Sequence, residues 1–342
     1  MNRPVTVAVV GATGAVGETM LSILEQRDFP VGELIALASA RSAGSTVRFK
    51  GRDIVVRDLA TFDPKGVDIA LFSAGGDISK EYAPKFAAAG AIVIDNSSAF
   101  RQDADVPLVV SEVNPDALAS IPRGIVANPN CSTMQMLVAL APIHRAVGIE
   151  RINVCTYQSV SGGGRSAMEE LGRQTAALLN GQDPDPQRFP VQIAFNLIPH
   201  IDDFLDNGYT REEMKIVWES RKILDLPSLA VSATAVRVPV RVGHGAAVRA
   251  EFDRVIAPDE ARAHWRPFPG LEVVDEPERG RYPTPLLAEG RDAVLVGRAR
   301  NDLSDPKALE FFVASDNLRK GAALNAVQIA EALLAREAAT RS

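Results

Sequence analysis

The run Val5-Thr6-Val7-Ala8-Val9-Val10 passes directly into Gly11-Ala12-Thr13-Gly14-Ala15-Val16-Gly17 and then into a helical repeat through Met20, Leu21, Ile23 and Leu24. A short unbroken apolar run followed by glycines reads as a fully buried strand that turns sharply into a helix. Glycines at these spacings let the backbone approach a pyrophosphate, and the helix N-terminus offers free N–H groups and the positive end of its dipole. The spacing is G-x-x-G-x-x-G rather than the commoner G-x-G-x-x-G, so the motif alone is weak. The strand before it and the helix after it favour a nucleotide site over a turn kept only for close packing.

Leu34 to Ala38, Val67 to Phe72 and Ala91 to Asp95 read as further strands, with a helix near Ile78 to Ala89 between the last two. Such alternation predicts an α/β fold, a Rossmann-type doubly wound parallel sheet. In NAD-binding sheets of this kind an acid about 20 residues past the glycines holds the ribose 2′-hydroxyl, whereas an arginine suits a 2′-phosphate. Here the second strand ends Ala38-Ser39-Ala40-Arg41-Ser42, with no acid. NADP is therefore the expected cofactor, with Ser39, Arg41 and Ser42 near its phosphate; the plain alternative is that Arg41 is a solvated loop residue. Ligands bind at strand ends in open α/β sheets, which singles out two more loops. Ser73-Ala74-Gly75-Gly76 is small enough for Ser73 and Gly75 to pass under a nicotinamide ribose. Asn96-Ser97-Ser98-Ala99-Phe100-Arg101 offers hydroxyls and a guanidinium to a phosphate or carboxylate.

The chain has 342 residues, 46% hydrophobic and 23% charged, enough for two buried cores. Its N-terminal residues lack the layout of a signal peptide and no apolar run is long enough to span a bilayer, so a cytoplasmic location is expected. Two cysteines cannot build a disulfide framework, and no Cys/His cluster has metal-ligand spacing, so no metal is expected. The net charge of −6 is diffuse and the basic residues form no run, which argues against nucleic acid as a partner.

Cys131 lies in Val126-Ala127-Asn128-Pro129-Asn130-Cys131-Ser132-Thr133, between a short apolar strand, Ile125 to Ala127, and a helix running to His144. A thiolate at or just before a helix N-terminus is stabilised by the dipole and the backbone N–H groups, which can also hold an oxyanion. That suits acyl transfer through sulfur. A free cysteine is more often a small buried hydrophobe, and Cys155, in the strand-like Arg151 to Tyr157, fits that description. A thiol nucleophile needs a proton partner, and the chain has four histidines. His144 lies too far along its helix, His264 beside Trp265 reads as surface packing, and His200, after Leu197-Ile198-Pro199, as a loop histidine near the site. His244, in Val242-Gly243-His244-Gly245 just after the strand-like Thr234 to Val240, has flanking glycines that leave the imidazole unobstructed, and ranks first.

At this point the chain resembles the aspartate-β-semialdehyde dehydrogenase family. Six segments match in order: Gly-Ala-Thr-Gly-Ala-Val-Gly at 11–17, Asn-Ser-Ser-Ala-Phe-Arg at 96–101, Asn-Pro-Asn-Cys-Ser-Thr at 128–133, Gln-Ser-Val-Ser-Gly at 158–162, Arg-Glu-Glu-Met-Lys at 211–215, and Arg-Val-Pro-Val-Arg-Val-Gly-His at 237–244. The resemblance implies that Cys131 is the acyl-thioester nucleophile, His244 the acid/base and Gln158 the residue that orients the substrate. It implies that Arg237 binds the substrate carboxylate, Glu212 its ammonium group, and Arg101, Lys215 and Asn130 its phosphate. Gly11, Thr13, Gly14, Ala15, Val16, Ser161, Gly162 and Asn317 then join the NADP site. The implied reaction is NADPH-dependent reduction of β-aspartyl phosphate to aspartate semialdehyde with release of phosphate, a step in making lysine, threonine, methionine, isoleucine and diaminopimelate. In the reverse direction the resemblance implies that His244 deprotonates a group near the reacting centre, the thiol of Cys131.

The resemblance further implies a nucleotide domain of residues 1–130 completed by 317–342, and an α+β catalytic and dimerisation domain, 131–316, in a homodimer. The closing helix reads as Leu318 to Arg336, and Gly181 to Pro190 as a surface loop. Without the resemblance, Glu212 and Lys215 would read as a solvated helix face, Arg237 as an edge charge and Arg101 as a structural ion-pair residue. The stretch around His244 departs from the serine-rich versions common in the family, which leaves its hydrogen-bond partners open. Two alternatives are N-acetyl-glutamyl-phosphate reductase, which has Gly-Cys where this chain has Asn130-Cys131, and a catalytically silent nucleotide-binding paralogue, which predicts loss of Cys131, His244 or Arg237.

Overall fold

The computed structural model describes residues 4–341. The chain forms two compact units: the segment up to Asn130 together with that from Ala322, and Cys131–Gly321. Residues 317–321 thus group with the second unit.

The first unit contains β1 (Val5–Val10), α1 (Ala15–Gln26), β2 (Val31–Ala38), β3 (Thr46–Phe49), β4 (Arg52–Val55), β5 (Arg57–Asp58), β6 (Ile69–Phe72), α2 (Gly76–Ala88), β7 (Ile92–Asp95) and β8 (Ile125–Ala127). Its sheet is parallel in the order β5-β2-β1-β6-β7-β8, and the order reverses beside β1. Parallel strands covered on both faces lose nearly all water contact, which is why β1 and β6 are apolar without alternation. The β3–β4 hairpin, which the sequence did not announce, turns on Lys50 and Gly51, both at positive φ.

The second unit contains α3 (Cys131–Val147), β9 (Ile149–Gln158), α4 (Arg165–Leu179), α5 (Arg211–Ile223), β10 (Ala230–Arg237), β11 (His244–Phe252), α6 (Pro258–Trp265), β12 (Leu271–Val273), α7 (Pro285–Ala288), β13 (Val294–Asn301) and β14 (Ala308–Ser315). These strands form a mixed sheet in the order β10-β9-β11-β14-β13-β12. Helices α3, α5 and α6 cover one face. α3 is apolar almost all round because it is buried almost all round, and the Trp265 indole donates to the Ala139 carbonyl at 2.8 Å. On the other face Asn153, Cys155, Tyr157, Ala247, Arg249, Glu310 and Phe312 are half-buried, and Ser232 and Thr234 are exposed. The chain then returns to the first unit through α8 (Leu324–Arg341), whose Leu324, Val327, Ile329 and Leu334 join the core of β1 and α1.

Three expectations are corrected. The strand read as Thr234 to Val240 is Ala230–Arg237: Pro239 has no N–H to give a ladder, so pairing stops before it. The closing helix begins as α-helix at Leu324, after a π turn at Arg319–Ala323 that sets Gly321 against Cys131. Cys155 is not buried; it lies on the open sheet face, in the wall of a cavity of about 330 Å³ with Asn153, Thr234 and Arg249.

Candidate active site

In the first unit, Gly11 has φ +84° and an added Cβ would lie 3.0 Å from the backbone and hydroxyl of Ser73. The loops after β1 and β6 therefore touch at the point where strand order reverses, the place where open α/β sheets bind dinucleotides. A Cβ on Gly17 would lie 2.2 Å from the Gly11 carbonyl oxygen, so that glycine is needed for the helix to close on the strand. Gly14 caps α1 without any side-chain hydrogen bond, leaving the first-turn N–H groups for an anion. Gly75, at φ +92°, caps α2 in the same bare manner. Ser39 and Ser42 close a turn, Ser42 N–H to Ser39 carbonyl at 2.8 Å, and Arg41 beside them is exposed. Bare helix ends, close-approach glycines and an unblocked arginine fit a phosphorylated dinucleotide.

The loop after β7 is tied down from within. Asp95 accepts the Ser79 and Ser97 hydroxyls, each at 2.6 Å, and burial pushes its carboxyl above the usual range against those bonds. Arg101 is buried and donates to the Asn96 carbonyl at 2.7 Å. The Asn128 amide donates to the Asn96 side-chain oxygen at 2.6 Å and accepts from Asn325 at 2.5 Å. Asn128, in the Asn-Pro-Asn-Cys motif, thus holds this loop in place, a role masked in the sequence by its neighbour Cys131.

Cys131 is the first residue of α3 and is partly exposed, and a Cβ on Gly321 would lie 2.8 Å from its Cβ. It is near enough to Arg237 to act on that guanidinium's charge. The helix N-terminus and the Arg237 cation both favour negative charge on the sulfur.

The rest of the constellation is contributed by strand ends. Gln158 ends β9, Arg237 ends the neighbouring β10 and His244 opens β11, so sheet pairing brings all three to one edge. Gln158 Nε2 donates to Glu212 at 3.1 Å, and Lys215 pairs with Glu212 at 3.1 Å and with Asp202 at 2.7 Å. Burial works against the Lys215 charge, but the two carboxylates outweigh it and raise its pKa. Glu212 and Lys215, expected at different ends of a substrate, are therefore one ion pair, with Asp202 as a third member the sequence did not indicate. Arg237 Nη1 donates to the Ser159 carbonyl at 2.7 Å, and burial lowers its pKa against the pull of Glu212. A Cβ on Gly162 would lie 2.8 Å from that Nη1 and 3.2 Å from His244 Nε2, so both groups face the space that this glycine leaves clear.

His244 was expected in an open glycine loop; the structure buries it completely. Its Nδ1 faces the Ser159 N–H at 3.1 Å and the Ser159 hydroxyl at 3.0 Å. Asn317 Oδ1 accepts from the Ser159 hydroxyl, the Ser161 hydroxyl and the Gly243 N–H at 3.1, 3.0 and 2.9 Å. Burial, with the Arg237 charge second, pushes the His244 pKa down to about 3. Ser159 is a site residue the sequence reading passed over, although it stands inside the Gln-Ser-Val-Ser-Gly motif. His200 stacks on Phe204 at 4.4 Å and half-buried His264 lies 3.9 Å from Glu260; neither joins this cluster. No group of residues able to hold a metal occurs among the described residues. Arg101 and Asn130 belong to the first unit and Lys215 to the second.

Residues 6–121 match the family model of a semialdehyde dehydrogenase NAD binding domain, and residues 140–320 that of a semialdehyde dehydrogenase dimerisation domain. The chain is 56% identical over 338 residues to an aspartate-semialdehyde dehydrogenase of Legionella pneumophila, covering 97% of this chain and 96% of that one. It is 55% identical over 337 residues to aspartate-semialdehyde dehydrogenase 2 of Vibrio cholerae, with 98% and 99% covered. A crystal structure of the Vibrio cholerae aspartate semialdehyde dehydrogenase II complexed with ASA superimposes with a TM-score of 0.95 at 54% identity, covering 97% of this chain and 98% of that one. A Candida albicans aspartate semialdehyde dehydrogenase with NADP does so with a TM-score of 0.74 at 25% identity, covering 96% and 98%. The chain belongs to the aspartate-semialdehyde dehydrogenase family.

Proposed function

We propose that this protein is an NADP-dependent, phosphorylating aspartate-semialdehyde dehydrogenase, which in the biosynthetic direction reduces L-4-aspartyl phosphate to L-aspartate 4-semialdehyde through a thioester on Cys131. The observation that carries this reading is the juxtaposition at one sheet edge of a helix-terminal cysteine, the buried Arg237 guanidinium and the buried His244 imidazole, with Gly162 leaving the space before them open. Arg237 would grip the α-carboxylate and hold the β-carbonyl within reach of sulfur; such orientation removes several kcal/mol of barrier. Glu212 receives the ammonium group, Gln158 orients the carbonyl, and Lys215 with Arg101 and Asn130 takes the phosphate. Forming the acyl enzyme divides one hard step into two easier ones.

Gly11, Thr13, Gly14, Ala15, Val16, Ser39, Arg41, Ser42, Ser73 and Gly75, with Ser161, Gly162 and Asn317, are assigned to the cofactor. NADPH supplies the hydride when bound. The lack of an acid after β2 and the exposed Arg41 support NADP over NAD, as does the Candida albicans relative with NADP. The product feeds lysine, threonine, methionine, isoleucine and diaminopimelate synthesis, and the cytoplasm is its expected place; no described helix is long and apolar enough to cross a membrane. The active form is a homodimer, a reading supported by the match to a dimerisation domain over 140–320 and by the half-open face of the second sheet.

The test is NADP reduction with aspartate semialdehyde, with and without inorganic phosphate. Phosphate-dependent reduction that falls to background in Cys131→Ala is expected. An inactive wild type, or an active Cys131→Ala, rejects the proposal.

A further inference from the structure

The segment 187–202 is fastened along its length to α4 and to the residues assigned to the substrate. Glu170 of α4 is buried, and its carboxylate accepts the backbone N–H groups of Gln187, Arg188 and Phe189 at 3.2, 2.5 and 3.3 Å. One turn further along α4, buried Gln174 donates to Glu170 at 3.0 Å and accepts the N–H groups of Ile193 and Ala194 at 2.8 and 3.1 Å. Ile198 then exchanges both backbone hydrogen bonds with Arg237, at 2.9 and 2.8 Å. Asp202 ends the segment on Lys215 at 2.7 Å. Phe189, Ile193 and Ile198 pack with Ala167 and with Val160, which follows the Ser159 carbonyl that Arg237 bonds.

A buried carboxylate is costly unless donors satisfy it, and most of the donors to Glu170 are main-chain N–H groups of one short stretch. The end of the expected surface loop is therefore held in a single conformation, and what that conformation presents is Arg188. Its side chain is exposed and has no hydrogen bond or ion pair among the described residues. Burial lowers the Arg237 pKa and the Arg188 charge adds to that effect, so the two guanidiniums stand close enough to repel. Two like charges held near each other, one buried and one without a counterion, are unfavourable until an anion joins them. Lys215, by contrast, is already flanked by Glu212 and Asp202.

We propose that Arg188 is a second cation for the substrate α-carboxylate, meeting it from the outer side while Arg237 holds it from within, and that Glu170 is the positioning residue that directs Arg188 there. This rests on the proposed substrate role of Arg237 and extends it. The pair supplies specificity: a substrate bearing the carboxylate relieves the repulsion, and one lacking it leaves two cations facing each other. The exposed Arg188 also attracts the incoming anion before it reaches the buried Arg237.

The test is steady-state kinetics of phosphate-dependent NADP reduction by the full chain, varying aspartate semialdehyde and inorganic phosphate in turn. Wild type, Arg188→Gln, Glu170→Gln and the double variant are compared. Arg188→Gln changes an exposed side chain and should raise KM for aspartate semialdehyde about three- to fivefold, the factor for an exposed ion pair. The larger part of the loss should lie in KM rather than kcat, with KM for phosphate unaltered. An unchanged KM for the aldehyde overturns the proposal. Any rise in the phosphate KM overturns it as well, because it would assign Arg188 to the phosphate. Glu170→Gln keeps the shape but turns an amide NH2 towards N–H donors, and it should raise the same KM. Combined with Arg188→Gln, it should add nothing to the larger single effect, whereas additive effects would overturn its positioning role. Should Glu170→Gln not fold, Glu170→Asp, which draws the carboxylate back by one methylene, takes its place. A wild type without phosphate-dependent reduction rejects the proposed function and this inference with it; an active wild type matched by Arg188→Gln rejects this inference alone.

Discussion

At Arg237, replacement by lysine keeps the charge and loses the planar fork, including the donor that reaches the Ser159 carbonyl. Arg237→Lys should lower kcat/KM by roughly ten- to a hundredfold, the equivalent of about 1.5–3 kcal/mol for a charged hydrogen bond. Steady-state kinetics would show the loss mainly in KM for aspartate semialdehyde, and an unchanged KM would contradict the carboxylate role. His244 makes a prediction about stability. Its pKa is lowered from 6.5 to about 3 in the folded protein, so as pH falls below 6.5 the unfolded chain takes up a proton that the folded chain refuses. Stability is therefore greatest above pH 6.5 and declines towards pH 3, by at most about 1.4 kcal/mol per pH unit from this group. His244→Gln should have a smaller drop in Tm between pH 7 and pH 5 than wild type; an equal drop would contradict it. At this scale, what was legible depended on the kind of interaction. Cys131 could be placed at a helix start from its turn residues alone. Ser159 could not be picked out, because its contribution to His244 includes a backbone N–H that every residue but proline owns. Asp202 reaches Lys215 from a left-handed conformation, φ 69°, which no local pattern announces.

Helix α5 carries both Glu212 and Lys215, the two residues of this helix assigned to the substrate in the proposed function. Thr210 accepts the Glu213 N–H while Glu213 accepts the Thr210 N–H, a complete capping box, and the other Glu213 oxygen accepts the Ala235 N–H of β10 at 2.9 Å. Glu213 thus fixes the start of α5 against the strand that ends in Arg237, and so sets where Glu212 and Lys215 stand. Thr210→Ala should cost about 1 kcal/mol, seen as a fall of roughly 2–4 °C in Tm; no fall would mean that this cap does not hold the helix. The acids in this helix's first turn could be read only as favourable to its dipole, because the strand that Glu213 grips lies more than twenty residues away. The β–α alternation of the first unit was legible because buried parallel strands need unbroken apolar runs. The bounds near residues 237 and 324 were not, since a missing proline donor and a π turn decide them.

For the whole molecule, the second sheet has one face under helices and one half-open face bearing Cys155, Tyr157, Thr234 and Phe312. A half-open, mixed polar and aromatic face in a unit matching a dimerisation domain is the surface a second copy would cover. Light scattering should give twice the monomer mass, and Thr234→Glu should shift it towards the monomer; a monomeric wild type would contradict the homodimer. The central claim, that sulfur of residue 131 carries the acyl group, has a direct measurement. Enzyme without nicotinamide is mixed with β-aspartyl phosphate, quenched in acid, digested and weighed. An added aspartyl mass on the peptide containing Cys131, absent in Cys131→Ala, is the predicted result; no added mass, or mass only on the peptide containing Cys155, would contradict it.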